Sequence, residues 1–282
     1  MVGLQYDDIM KIITKKILKE VYKPRKKDSH KYDYGHLLVI GGNKKYSGSP
    51  AFASLAAYRS GVDLVTTVAP ERAANIIATF SPDLITIPLK GDYLKKEHLK
   101  VIDTKNVSAV VIGGGLGRKK ETLDTVNKFL KNLDKPCVID ADATYAVAKN
   151  KKVLKNKPFV LTPHLHEFYV LTGIEIKKMK LKKRIETVRK VALDLKTTVL
   201  LKGNPDIISN GKETSINKTG NPYMTVGGTG DVLAGILGSL MAQGVEPFRA
   251  ACAAAYINGK AGDLAAKEKK VALTASDVID KI

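Results

Sequence analysis

What most restricts the architecture of this chain is a succession of seven short apolar runs, each closed by glycine or a polar residue and followed by a stretch with helical spacing. The runs are His36 to Ile40, Asp63 to Val68, Leu84 to Ile87, Ala109 to Ile112, Cys137 to Ile139, Phe159 to Leu161 and Thr198 to Leu201. Brief runs rich in Val, Ile and Leu are the signature of strands buried on both faces, and the segments between them are long enough to be the helical crossovers that parallel pairing needs. The fold class that follows is α/β, a largely parallel sheet with helices on both faces. Beyond Ile207, Ile208 and a turn at Asn210-Gly211, the chain ends in helices starting near Asp231 and Pro247. Ahead of the first run, Tyr6 to Val21 places Ile9, Ile12, Ile13, Ile17 and Leu18 on one helical face. Residues 1–30 therefore read as a helical accessory segment, and residues 31–282 as one domain.

Ligands of open parallel sheets sit beyond the carboxyl ends of the strands, where loops converge and helix N-termini point inward. Here that edge collects Gly41-Gly42-Asn43, Gly113 to Gly117, Asp140-Ala141-Asp142, Thr162-Pro163-His164 and Lys202-Gly203. The strongest local signal is Gly227-Gly228-Thr229-Gly230-Asp231, followed by Val232, Leu233, Ile236, Leu237 and Leu240 at helical spacing. Glycines let backbone N–H groups approach a phosphate, and the helix dipole adds partial positive charge there. Asp231 is then either a first-turn acid that complements the dipole or a base beside a phosphate that orients a substrate hydroxyl. The dipole alone should keep it ionised, a weak base that acts by orientation. Asp140 and Asp142 suit either Mg²⁺ or helix capping, and His164 either a ligand contact or a structural hydrogen bond.

Other readings fall away on spacing and charge distribution. The glycines of Gly113 to Gly117 do not follow G-x-G-x-x-G, and no G-x-x-x-x-G-K-[ST] run occurs. Lys plus Arg of 47 against Asp plus Glu of 28 gives a formal charge of +19, but the lysines are scattered and no set of stacking aromatics lies among them. A nucleic-acid or membrane partner is not expected. Cys137 and Cys252 form no ligand spacing, and neither a signal-peptide pattern nor an apolar stretch of about eighteen residues occurs, so a reducing, cytoplasmic setting is expected.

With these residues in view, the chain resembles the NAD(P)H-hydrate dehydratase family of the ribokinase-like superfamily from about His36 to Ile282. The likeness is most specific from Gly220-Asn221-Pro222 to Gly235, with support from Val39 to Gly42, Tyr46-Ser47-Gly48, Ile112 to Gly117, Ile139 to Ala143, Leu161 to His164 and Leu200 to Gly203. The resemblance implies a three-layer α/β/α fold with a mostly parallel central sheet, and a nucleotide-dependent lyase. ADP or ATP, with Mg²⁺, would phosphorylate the hydroxyl of the S-epimer of hydrated NADH or NADPH, and loss of phosphate would restore the nicotinamide. It further implies that Asp231 is the catalytic base and touches the hydrate together with Ser49, Gly115 and His164. Lys202, Gly203, Asn204, Pro205 and Asp206 would line the nucleotide, with Gly230 on its phosphate. No metal ligands are assigned. A separate epimerase is an expected partner, and a homo-oligomer the expected assembly. Gly114, Ser49 and His166 depart from the proline, alanine and glycine that the family often carries. Many relatives have an epimerase fused ahead of this domain; with 35 residues before His36, none is expected within this chain.

Overall fold

The computed structural model describes residues 10–282. Its strands are β1 (Met10–Ile12), β2 (His36–Ile40), β3 (Leu64–Pro70), β4 (Ile85–Leu89), β5 (Ala109–Ile112), β6 (Cys137–Ile139), β7 (Phe159–Leu161), β8 (Thr198–Leu201), β9 (Asp206–Ser209) and β10 (Thr214–Asn217). They form one sheet in the order β1-β10-β9-β8-β7-β6-β5-β2-β3-β4. Pairing is parallel throughout except at β9, which runs antiparallel to both β8 and β10. The hairpin joining β9 to β10 turns at Asn210, whose Oδ1 accepts from the backbone N–H groups of Lys212 and Glu213.

The helices are α1 (Ile17–Val21), α2 (Gly48–Arg59), α3 (Glu71–Ile77), α4 (Lys120–Asn132), α5 (Asp142–Lys149), α6 (Leu165–Thr172), α7 (Leu181–Leu195), α8 (Thr229–Ala242), α9 (Pro247–Lys269) and α10 (Ala275–Ile279). Because every residue of β5, β6, β7 and β8 is buried, side chains on both faces of the sheet need cover. One core joins Leu37, Val39 and Val111 to α2, α8 and α9. The other joins Leu38, Ile112 and Leu161 to α4, α5, α6 and α7. α8 is apolar nearly all round, with every residue from Val232 to Ala242 buried. It approaches its neighbours through glycines: a Cβ on Gly235 would collide with the Ala53 carbonyl of α2, and one on Gly238 with the Val111 side chain of β5. α8 is thereby held close against α2 and against the middle of the sheet. Among the described residues, no helix is long and apolar enough to cross a membrane.

Residues 10–30 differ from the helical expectation. Met10–Ile12 is a strand, paired in parallel with Thr214–Ile216, and only Ile17–Val21 is helical; Tyr6 and Ile9 lie outside the described residues. The exposed hydrogen-bonding groups of β10 supply partners for an extended segment, and that pairing overrides helical spacing in a short stretch. Ile17 and Val21 then join the core beside α9.

Candidate active site

At the carboxyl end of β2 and β5, two glycine loops lock together. Gly42 N–H donates to the Gly114 carbonyl at 2.8 Å, and Asn43 Nδ2 donates to the Gly115 carbonyl at 2.8 Å. Gly115 has φ +68°, and a Cβ there would stand 2.9 Å from the Tyr46 Cβ, so the loop shape depends on glycine. Ser49, in the first turn of α2, faces the same loop: its Cβ lies 3.1 Å from where a Gly114 Cβ would be. That same Gly114 position is 2.6 Å from Asp231 Oδ1. Ser49, Gly115 and Asp231, expected to touch one substrate, are thus neighbours.

α8 opens with Gly228 at φ +98°, a left-handed N-cap whose Cβ would strike the Phe52 ring at 2.7 Å. The Thr229 hydroxyl ties the turn down, donating to the carbonyls of Met224 at 3.0 Å and Val226 at 3.2 Å. Asp231 follows in the first helical turn, beside the backbone N–H groups that the helix leaves free.

Around Asp231 lies a buried charge cluster. Lys202 Nζ donates to Asp140 Oδ1 at 2.8 Å and stands 3.9 Å from Glu167 Oε2, and the Thr162 hydroxyl donates to the same Asp140 oxygen at 2.7 Å. Asp140 and Glu167 are nearly inaccessible, at 3% and 4% exposure. Burial works against the Lys202 ammonium, but Asp140 and Glu167 outweigh it and hold its pKa above the ordinary lysine value. Burial pushes the Asp231 carboxyl up to about 7, and the negative charge of Asp140 adds to the effect, while the Ser49 hydroxyl and Lys202 pull the other way. This corrects the expectation of an ordinary, dipole-stabilised carboxylate: desolvation and a like charge outweigh the helix terminus. A carboxyl in this range exchanges its proton near neutrality.

On the other side of Gly230 opens a cavity of about 650 Å³. Its wall includes His164, Lys202, Gly203, Asn204, Asp206 and Gly230 from the expected set, joined by Thr219 to Pro222, Thr225, Leu233 and Asn258. Pro205, which follows a cis peptide bond, is not among the lining residues. Lys202 Nζ is 3.4 Å from where a Gly230 Cβ would stand, so an anion seated on the α8 terminus meets the ammonium as well. Gly203 needs no left-handed backbone, and an added Cβ would meet only the Pro205 carbonyl at 3.7 Å; a larger side chain there would act by filling the cavity. Asp206 holds the loop, accepting from Gly203 N–H at 2.8 Å and from Asn217 Nδ2 at 3.0 Å, and its own burial pushes its pKa up to about 6.

His164 has the structural role among the two expected for it, and its ring also reaches a cavity wall. It is the N-cap of α6: its Nδ1 accepts from the backbone of His166 and Glu167, while Glu167 Oε2 accepts from His164 N–H at 2.9 Å. With Nδ1 accepting, the neutral ring carries its proton on Nε2, and the half-exposed side chain also lines the cavity. Asp142 stands apart. It accepts from Gly117 N–H and from Arg118 Nε, each at 2.8 Å, fixing the glycine loop. Asp140 likewise has protein partners, and among the described residues no group of three or more His, Cys, Asp or Glu side chains is placed to hold a metal ion. Glu167, Asn217 and Asn258 carry no pattern of their own in the sequence; for Glu167 the one available signal was its place three residues after a cap position.

A family model for NAD(P)H-hydrate dehydratase matches residues 37–282. The ADP-dependent (S)-NAD(P)H-hydrate dehydratase of Nitrosopumilus maritimus is 37% identical over 276 residues, which cover 96% of this chain and 95% of the relative. The bifunctional NAD(P)H-hydrate repair enzyme Nnr of Pyrobaculum aerophilum is 42% identical over 262 residues, 92% of this chain but 52% of the relative, so the chain spans about half the length of that protein. Among solved structures, the ADP/ATP-dependent NAD(P)H-hydrate dehydratase of Bacillus subtilis, co-crystallised with ATP/Mg²⁺, superposes with a TM-score of 0.84 at 28% identity, covering 96% of this chain and 95% of that one. The three-layer architecture is ribokinase-like.

Proposed function

The chain belongs to the NAD(P)H-hydrate dehydratase family, and from that premise we propose that it repairs the S-epimer of hydrated NADH or NADPH at the expense of ADP or ATP. The observation that carries this reading is the position of Asp231, between a cavity that suits a nucleotide and the Ser49, Gly114 and Gly115 cluster that suits the hydrate. In the first step the hydrate hydroxyl loses its proton to Asp231, and its oxygen bonds to the terminal phosphorus as the bond to the leaving phosphate oxygen breaks. The α8 N–H groups and Lys202 stabilise the charge on the transferred group. In the second step the carbon–oxygen bond breaks and phosphate departs with the former hydroxyl oxygen, while the adjacent ring carbon releases a proton to solvent and the electron pair of that carbon–hydrogen bond becomes the restored double bond of the nicotinamide. Mg²⁺ accompanies the nucleotide phosphates in this reading, and no step is assigned to it. An epimerase is the partner this chemistry calls for, because a chiral site accepts one epimer of the hydrate.

Incubating the protein with NADH hydrate and ADP or ATP tests the reading. Return of the reduced-nicotinamide absorbance together with inorganic phosphate is expected; accumulation of a stable phosphorylated alcohol would make the chain a kinase instead.

His164 provides a second prediction. His164→Ala is expected to lose roughly 1 kcal/mol of stability through the α6 cap; the family resemblance assigns the ring to the hydrate although it stands on the wall of the nucleotide cavity, and that assignment predicts a larger rise in hydrate KM than in nucleotide Kd. Asparagine also caps helices, so His164→Asn should retain the wild-type Tm while still raising the hydrate KM. An unchanged KM in the asparagine variant would leave His164 with the cap alone.

A further inference from the structure

The nucleotide cavity is closed on one side by α9, and the way the chain is stitched to that helix leaves one polar group over. Asn217 Nδ2 donates to the Ala255 carbonyl at 3.0 Å, and the Thr219 hydroxyl donates to the Tyr256 carbonyl at 3.2 Å. Gly259 allows the contact: a Cβ on it would collide with the Thr219 side chain. Between these fixed points Asn258 projects from α9, 9% exposed and lining the cavity. Its Oδ1 is buried and accepts no hydrogen bond. A buried carboxamide oxygen left unpaired opposes folding, so its retention calls for a partner that arrives later. Four buried side-chain polar atoms lack partners among the described residues, on Asn127, Thr144, Arg184 and Asn258, and of these residues Asn258 is the one that lines the cavity.

We infer that Asn258 reads the nucleobase: its carboxamide, whose Oδ1 is turned into the protein and unpaired, rotates about its last side-chain bond to face the cavity, and Oδ1 then accepts from the 6-amino group of adenine. A carboxamide offers an acceptor beside a donor, which matches the adenine edge formed by the 6-amino group and N7; a 6-oxo purine presents two acceptors along that edge and leaves Oδ1 unpaired. Asn258 is thus a specificity-determining residue that favours adenine over 6-oxo purines. The inference rests on the reading of this cavity as the nucleotide site.

The test compares ADP, inosine diphosphate and purine riboside diphosphate, which has hydrogen in place of the 6-amino group, by calorimetry on wild type and Asn258→Ala. Wild type should bind ADP about tenfold more tightly than either analogue, the difference expected for one buried hydrogen bond of about 1.4 kcal/mol. In Asn258→Ala the three affinities should fall within about twofold of one another. A folded Asn258→Ala protein that keeps the wild-type ratios would overturn the assignment. Should that variant not fold, wild type alone decides: equal affinity for ADP and purine riboside diphosphate overturns it equally. Absence of any ADP or ATP binding by wild type is a different outcome, and removes the nucleotide reading itself.

Discussion

Replacing Asp231 by asparagine is expected to lower turnover by about 10²- to 10⁴-fold, the range for losing a positioned base, while nucleotide affinity stays within a few-fold of wild type. Asparagine keeps the shape of the side chain and the glycine turn before it, so the anion-binding amides of α8 are undisturbed. A pH effect accompanies this loss. Because burial and Asp140 push the Asp231 carboxyl up to about 7, the wild-type rate should rise with pH through about 7 as the base ionises. Stability runs the other way. The folded protein holds this proton more tightly than the unfolded chain, whose carboxyl titrates near 4. The contribution of Asp231 to stability is therefore present below about pH 4 and is lost as pH rises towards 7. Asp231→Asn should accordingly melt above wild type at pH 8, with the gap closing towards pH 4. Calorimetric titration with ADP, rates of hydrate conversion and melting curves at both pH values check the three parts. Near wild-type turnover in folded Asp231→Asn would remove the base from the mechanism.

Lys202→Ala should be the most damaging change to the fold among the site residues. The ammonium sits against Asp140 and Glu167, both almost fully buried, and its removal leaves two carboxylates with no cation beside them. Breaking a buried pair in this way costs about 3–5 kcal/mol. Burial already raises the Glu167 pKa and Lys202 opposes it, so without the cation Glu167 binds a proton more readily in the folded state. The variant's deficit should then be largest above neutrality and shrink as the pH is lowered towards about 5. Lys202→Arg retains the charge and should recover much of the stability, though not the fit to a phosphate on the α8 terminus. Urea unfolding at two pH values separates these outcomes, and a deficit independent of pH would show that packing, and not charge, is what Lys202 supplies.

How far the sequence foretold this molecule varies with the kind of interaction. β5 to β8 were legible because a strand buried on both faces writes itself as an unbroken apolar run. β1 was not, since Met10–Ile12 is extended only by virtue of the β10 edge beside it. β10 itself, with Thr214, Ser215 and Asn217, has no apolar run to announce it. The glycine turn before Asp231 was legible as a helix start with a left-handed cap and free backbone N–H groups, because backbone approach and helix polarity are local properties. The altered basicity of Asp231 was hidden, because Asp140, Glu167 and Lys202 reach it from three other segments of the chain. Asn258 was hidden for a similar reason. An asparagine inside an Ala-rich helix looks ordinary until the loop packed against that helix uses up the neighbouring carbonyls and passes its oxygen by.

The fate of one oxygen atom distinguishes phosphorylation of the hydroxyl from direct loss of water. NADH hydrate prepared with isotopically labelled oxygen in its hydroxyl group, converted by wild-type protein with ATP, should yield NADH and inorganic phosphate in equal amounts, with the label in the phosphate. Label released into water, or NADH formed without nucleotide, would contradict a reaction that proceeds through phosphorylation of the hydroxyl beside Asp231.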